Sequence, residues 1–381
     1  MDFGPGVGVF NLGAANGGRD IFVTKLDATG NLLWAKQLGG SGPYQDGTGL
    51  DIDNNGNVYV SGRFNLTIDL DPGPGTFNLT TATPFVNDMD AFICKLDAGG
   101  NFIWGKQFGS TLEEFISDLN LDGTGNLYST GFFQQTIDFD PAAGVHNLTS
   151  AGGWDCFILK LDTAGNFVWA NRIGGTSNDF SRISIDNFGY IYVSGFFHGN
   201  IDFDPGPSVY NMSTTTLYSK VFVTKWDAQA NFIWAINMGG DSNNGISQMV
   251  FDGVNNMYAT GVFDQTMNCD PSGGVYNVTS NGLYDVNVLK LVQPPVGIFD
   301  FNISAQELSL APNPAVDYVS IEAKSKIKSA RLLTVTGSVV MEQANVNATK
   351  VIFDVSSLPA GIYFAEVVTT KGRVYKKWLK E

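Results

Sequence analysis

The chain of 381 residues holds 22 Lys and Arg against 37 Asp and Glu, a net charge of −15. That excess of acid argues against a protein that grips a nucleic-acid backbone, which needs a basic footprint. Glycine reaches 45 residues while charged residues make up only 15 %, a composition suited to an all-β protein with many tight turns. No apolar run is long enough for a helical membrane span.

Charge is unevenly placed. Residues 1–304 carry 12 basic and 30 acidic side chains, whereas 305–381 carry 10 basic and 7 acidic. Between them runs Val292-Gln293-Pro294-Pro295-Val296-Gly297, with the proline content of a stiff linker. The chain therefore divides into a repeat domain at 1–291, a linker at 292–304 and a smaller domain at 305–381.

The first domain repeats itself. Lys25, Lys95, Lys160, Lys225 and Lys290 recur in matching contexts, and Trp34, Trp104, Trp169 and Trp234 each follow nine residues after the first four. Tyr59, Tyr128, Tyr192 and Tyr258 recur further on, each with a glycine three residues later: Gly62, Gly131, Gly195 and Gly261. Ile21–Leu26 alternates as a half-buried strand does, Asp27-Ala28-Thr29-Gly30-Asn31 makes a turn, and Leu32–Ala35 returns. A second hairpin bends at Asn54-Asn55-Gly56-Asn57, and a further pair of strands spans Thr67–Pro72 and Thr76–Leu79. Four strands per repeat, without helical periodicity between them, predict β-propeller blades.

The string Asp-x-Phe-x-x-Lys-Leu-Asp-x-x-Gly-Asn-x-x-Trp, followed by Asp-x-x-Gly-Asn-x-Tyr-x-x-Gly, resembles the bacterial β-propeller repeats called SBBP. The family pattern has seven blades. Here four complete repeats and a partial fifth are present, which predicts an incomplete ring. Asp2–Leu12 aligns with Asp138–Leu148, so the chain starts within a repeat, and Met1–Pro5 has no export-signal character. Both features lead us to expect further residues upstream; the alternative is a small ring closed by a strand from Asp285–Leu291.

Residues 305–381 read as short strands at 318–321, 330–335, 339–341, 350–354 and 362–367, giving a small Ig-like β-sandwich. This segment resembles the type A sorting domain of the type IX secretion system of Bacteroidota. The matching residues are Ala311-Pro312-Asn313-Pro314-Ala315, Thr334-Val335-Thr336-Gly337, the run from Asp354 through Gly361-Ile362-Tyr363, and Lys376-Lys377-Trp378-Leu379-Lys380. The resemblance implies recognition by the type IX machinery, passage across both membranes, and release or surface attachment. Pro312, Asn313, Pro314, Gly337, Gly361, Tyr363, Lys376 and Lys377 are the residues that carry it.

Few side chains offer catalysis. Cys94, Cys156 and Cys269 fill apolar strand slots and read as packed free thiols. His146 stands where other repeats have Phe or Tyr, and His198 is the only other histidine, so a His-based triad or zinc site lacks material. No catalytic residue is assigned. The pairs Asp69/Asp71, Asp138/Asp140 and Asp202/Asp204, weakened to Asn268/Asp270, precede turns. Alternate residues share a strand face, so each pair either presents two oxygens to Ca²⁺ or clips its turn. The position before each Lys-bearing strand varies (Arg19, Met89, Trp154, Ser219, Tyr284), as a binding face or a drifting loop would. The expectation is a secreted or outer-surface binding and adhesion scaffold with a glycan or extracellular protein as ligand. The alternatives are a fragment of a polysaccharide-degrading enzyme and a purely structural spacer.

Overall fold

The computed structural model describes residues 2–4, 9–14, 18–85, 88–206, 208–214, 218–240, 243–252, 256–272, 274–291, 308–334, 339–369 and 372–381. Every regular element in them is a strand, and the chain separates into two compact units at Leu291/Val292. The linker expected at 292–304 lies outside the described residues.

The first unit is a series of antiparallel sheets. The second sheet joins Gln45–Ile52, Val58–Phe64, Asp90–Leu96 and Phe102–Phe108. The third joins Phe115–Leu121, Leu127–Phe133, Asp155–Leu161 and Phe167–Ile173. The fourth joins Phe180–Ile185, Ile191–Phe197, Lys220–Trp226 and Phe232–Met238. At one end, Ile21–Leu26 and Leu32–Gly40 form a first sheet, extended by the hairpin Thr67–Asp69/Asn78–Thr80. At the other, Asn244–Phe251, Met257–Phe263 and Asp285–Leu291 form a three-stranded fifth.

The sheets are thus out of step with the sequence repeat. The second, third and fourth sheets each take the Tyr hairpin of one copy and the Lys–Trp hairpin of the next, so four copies yield three such sheets. The physical reason is the intervening hairpin: it leaves the sheet plane and returns the chain to the free edge of the Tyr-bearing strand, as in Tyr59↔Lys95 and Tyr128↔Lys160. The leading strands pack in series, from 45–52 through 115–121 and 180–185 to 244–251.

The recurrent glycine follows from this pairing. A side chain on Gly131 would place its Cβ 1.8 Å from the Phe115 carbonyl oxygen, and on Gly195 1.7 Å from that of Phe180. In the second, third and fifth sheets the register shifts beside this glycine, at Gly47/Gly49, Thr130/Gly131 and Ile246/Gln248. The neighbouring backbone occupies the place of a side chain with the bulge and also without it, as at Gly195, and only glycine leaves room.

Apolar residues from both faces interlock between sheets. Ala91 and Ile93 meet Ile116, Leu127 and Phe157, while Cys156 and Ile158 meet Ile183, Val193 and Phe222. The three cysteines are free and buried. His146 stacks on Phe167 at 4.8 Å, as Tyr210 does on Phe232 at 5.1 Å and Phe77 on Phe102 at 4.6 Å, so it serves as an aromatic.

The second unit departs from two separate short-stranded sheets. The segments read at 318–321 and 330–335 lie largely on one strand, Tyr318–Thr334, and those at 339–341 and 350–354 on another, Val339–Asp354. Leu308–Ala311, Gly361–Thr369 and Gly372–Lys380 complete a five-stranded sheet. The long pair shifts register between Glu322 and Ile327, and a bridge from Ala315 to Lys380 brings distant edges together. The sheet therefore curls around its own core of Val319, Ile321, Ile327, Leu332, Phe353 and Trp378. Long bent strands do the work that a second sheet would do in a sandwich.

Candidate functional site

One rim of the repeat domain carries Asp-x-x-Gly-Asn turns, one in the first sheet and two in each of the second and third. In each, the Asp carboxylate accepts the backbone and side-chain N–H groups of the Asn four residues on: Asn57 to Asp53 at 2.9 and 2.8 Å, Asn126 to Asp122 at 3.0 and 2.8 Å. Burial opposes the charge on Asp53, yet these bonds hold its carboxyl below the ordinary value. Gly56 and Gly125 supply the positive φ that closes each turn.

The recurrent lysines lock adjacent sheets at this rim. Lys95 Nζ lies 4.7 Å from the centre of the Tyr59 ring and donates to the Thr163 carbonyl in the next sheet at 3.1 Å. Lys25 reaches Ala98 and Lys160 reaches Ala228, each at 3.2 Å. Trp34 and Trp169 donate to those same carbonyls. The sequence showed the lysine and tryptophan recurring; that both aim at one carbonyl of the following copy was not visible in it.

Where successive turns approach, Asp51, Asn55, Asn57, Lys95, Asp122 and Thr124 line a polar cavity of ≈ 580 Å³. Asp51 Oδ2 accepts the Leu121 N–H across the junction at 2.7 Å, and Asn55 is exposed. Carboxylate, amide, hydroxyl and ammonium groups share one recess, which matches the donors and acceptors of a polyhydroxylated ligand.

The Asp-x-Asp-Pro pairs lie in the inserted hairpins. Asp69 Oδ1 accepts N–H from Asp71 and Phe77 at 3.0 and 2.8 Å, and Asp71 Oδ1 accepts it from Gly73 at 2.8 Å. Asp138 holds Asp140 and His146, Asp140 holds Ala142, Asp202 holds Asp204 and Tyr210, and Asp204 holds Gly206 in the same way. Asn268 holds Asp270 and Tyr276 with its amide oxygen. Each pair thus gives one oxygen of each carboxylate to turn N–H groups, and among the described residues no group of three or more carboxylate, imidazole or thiol side chains is arranged to hold a metal ion.

Sequence reasoning missed a set of buried carboxyls at the opposite rim. Asp88, Asp90 and Glu114 are buried at the junction of the second and third sheets. Burial pushes Asp90 up to about 7, against the Gln107 hydrogen bond, and Glu114 up to about 8, with Asp90 and Asp88 adding to the rise. At the following junction burial lifts Asp179 to about 7, while Asp155 is bound by Arg172 at 2.6 Å. The partners are 24 residues apart in sequence, with no motif linking them.

In the second unit the motif residues converge on the last strand. Asn313 Oδ1 accepts the Leu379 N–H at 2.8 Å, and Ala315 exchanges backbone bonds with Leu379 and Glu381 at 2.8 and 2.9 Å. Pro312 and Pro314, both after cis peptide bonds, flank that anchor. Tyr363 stacks on buried Trp378 at 5.2 Å and donates to the Pro359 carbonyl at 3.0 Å. Gly361 opens the strand that pairs with the last one, and Lys377 pairs with Phe364 through the backbone. Lys376 Nζ donates to the Leu308 carbonyl at 2.8 Å. Gly337 lies outside the described residues.

Comparison with known proteins agrees with this division. Residues 309–381 match the family described as secretion system C-terminal sorting domain, and 33–63 match the beta-propeller repeat SBBP. The chain is 24 % identical over 314 residues to an uncharacterized WD repeat-containing protein, L264, of Acanthamoeba polyphaga mimivirus, covering 68 % of this chain and 22 % of that protein. It is 24 % identical over 208 residues to the regulatory protein FlaEY of Caulobacter vibrioides, covering 53 % and 21 %. It spans about a fifth of the length of these relatives. Among solved structures, PorZ, a surface component of the type IX secretion system of Porphyromonas gingivalis, aligns with 91 % of this chain and 63 % of its own. That alignment has a TM-score of 0.19 and 11 % identity.

Fold and matches together define an all-β protein of β-propeller repeats that ends in a sorting domain. More particularly, residues 309–381 match a secretion-system C-terminal sorting domain of the type IX kind, which indicates a secreted or outer-surface protein.

Proposed function

We propose that the repeat domain is an extracellular binding module for a polyhydroxylated ligand, a glycan above all, carried out of the cell by the sorting domain. The observation that supports this reading is the recess where successive Asp-x-x-Gly-Asn turns meet, with Asp51, Asn55, Lys95, Asp122 and Thr124 around it. Its walls are held by hydrogen bonds within and between sheets, so the polar groups are fixed before a ligand arrives, which limits the entropy lost on binding. Binding is favoured over turnover because the carboxyls that hold protons most firmly, Glu114, Asp90 and Asp179, sit inside sheet junctions and not in the recess. A glycan hydrolase needs its two carboxyls facing the bond it cleaves.

The test is a glycan and extracellular-matrix binding screen with the 381-residue chain, repeated with Asn55→Ala and Thr124→Ala. A ligand whose affinity falls about tenfold in either variant supports the recess. A ligand that binds both variants unchanged lies elsewhere. Shortening of a bound polysaccharide would replace this reading with the enzyme, and absence of any ligand would favour the spacer.

A further inference from the structure

The polar groups buried at the sheet junctions occupy equivalent positions, so the junctions compare residue by residue. Between the second and third sheets stand Asp88, Asp90, Gln107 and Glu114. Between the third and fourth, 65 residues on, stand Gly153, Asp155, Arg172 and Asp179. The same positions one copy later hold Tyr218, Lys220, Asn237 and Asn244. The first set has three acids and no base, the second two acids and one base, the third one base and no acid.

The first two sets share their geometry. Asp90 and Asp155 each press on the glycine after the last strand of their sheet. A Cβ on Gly109 would lie 2.0 Å from the Asp90 carboxyl carbon, and one on Gly174 2.4 Å from that of Asp155. Glu114 accepts the Ser110 N–H at 2.8 Å, as Asp179 accepts that of Gly175 at 3.2 Å. The partners differ. Arg172 binds Asp155 at 2.6 Å, whereas Gln107 offers Asp90 only a neutral N–H. Asp88, Asp90 and Glu114 are 2 %, 1 % and 1 % exposed, and Asp88 Oδ1 and Asp90 Oδ1 accept no hydrogen bond from the described residues. Asp88 is held through its other oxygen by Thr83, at 2.8 and 2.6 Å. Arg63, on the strand paired with that of Asp90, is already engaged by Asp46 and Glu113. Three carboxyls so deeply buried without a base do not all carry charge, because burial penalises each charge and every charged neighbour adds to the penalty.

We propose that carboxyl protons hold the second and third sheets together where a guanidinium holds the third and fourth, so that the former junction opens first as pH rises. Closed, the junction keeps the protons of Asp90 and Glu114 up to about 7 and about 8; opened to water, it releases them. Acid therefore keeps it shut, and the hold is lost as pH climbs toward 8. At the next junction burial raises Asp155 and Asp179 as well, but Arg172 opposes the rise in both.

Hydrogen exchange of the 381-residue chain, read by mass spectrometry from pH 5 to pH 8 and corrected for the intrinsic rate at each pH, measures the opening. Segments 108–115 and 173–180 report the two junctions. Each proton released on opening lowers protection about tenfold per pH unit, so protection at 108–115 should fall more steeply than at 173–180. Global unfolding lowers both alike, and the difference between them isolates the junction. Gln107→Arg copies the next junction and should reduce the slope at 108–115 by about tenfold per pH unit. Arg172→Gln copies this one and should steepen the slope at 173–180. Glu114→Gln removes one titrating group without adding a charge, and it should flatten the slope at 108–115 even if an exchanged arginine does not fold. Equal slopes at both junctions of the unaltered chain overturn the proposal, as do slopes that these substitutions leave unchanged.

Discussion

Lys225 Nζ stands 3.8 Å from Asp186 Oδ2, with the lysine side chain 2 % and the aspartate 0 % exposed. The ammonium also lies 4.9 Å from the Tyr192 ring, whose hydroxyl donates to the same carboxylate oxygen at 3.1 Å. Burial draws the Lys225 pKa down to about 8, with Asp186 opposing the fall. Lys225→Ala would leave the carboxylate without its cation and open a cavity. Removing one partner of a buried pair costs about 3–5 kcal/mol, so we expect a loss in that range by urea denaturation. Lys225→Arg should not restore it, because the longer planar group does not fit the same slot.

The buried carboxyls make stability depend on pH. Glu114 and Asp90 hold protons up to about 8 and about 7 in the folded chain, and release them near pH 4 when unfolded. Between those limits the native state binds more protons, so stability must fall as pH rises from about 4 to 8. The melting temperature should therefore be higher at pH 5.5 than at pH 8. Glu114→Gln keeps the hydrogen bonds to Ser110 and removes the titration, and it should flatten that slope. An unchanged slope in the variant would place the pH dependence elsewhere.

The Asp-x-Asp-Pro clip predicts a particular pattern of tolerance. Asn268 already performs the task of Asp69 with an amide oxygen. Asp69→Asn should accordingly be near neutral, while Asp69→Ala strands two N–H groups and costs about 1–2 kcal/mol. The clip reading gives the same melting temperature in EDTA and in millimolar calcium. A rise with calcium that Asp69→Asn abolishes would instead make the pairs a metal site.

In the sorting domain, Trp378 and Asn313 separate packing from anchoring. Trp378→Ala empties the centre of a small core and should cost about 3–5 kcal/mol. Asn313→Ala removes only the bond to Leu379, about 1 kcal/mol, while Ala315 and the neighbouring strand still pair with the last strand. A chain supplied with an inner-membrane export signal in a Bacteroidota host gives the readout. If the machinery reads the docked strand, Asn313→Ala lowers the cell-surface and medium fraction although the domain stays folded. Normal export of this variant would show that the Asn313 anchor is not part of what the machinery reads.

Much of this architecture could be read directly from spacing. The Tyr and Gly separated by three residues mark the strand that its neighbour crowds, and the glycine is required because a carbonyl occupies the place of its side chain. The aromatic slot of His146 was legible for the same reason. The partnership of strands was not, because a tandem period has no intrinsic starting point. Lys95 follows Trp34 in the reading direction and yet pairs with Tyr59 in the fold. Nor was the Asp90–Glu114 cluster legible, since its members change type between copies (Asp155 with Asp179, Lys220 with Asn244) and only the junction brings them together. In the second unit, residues 323–329 carry five polar side chains and look like a loop, whereas they continue a single bent strand.

Because each complete sheet is assembled from halves of two neighbouring copies, the heritable unit and the folding unit are offset. Recombination between any two equivalent points of the roughly 65-residue period joins a Tyr hairpin to a Lys–Trp hairpin that already fits it. The array can therefore gain or lose a copy without creating a new kind of junction.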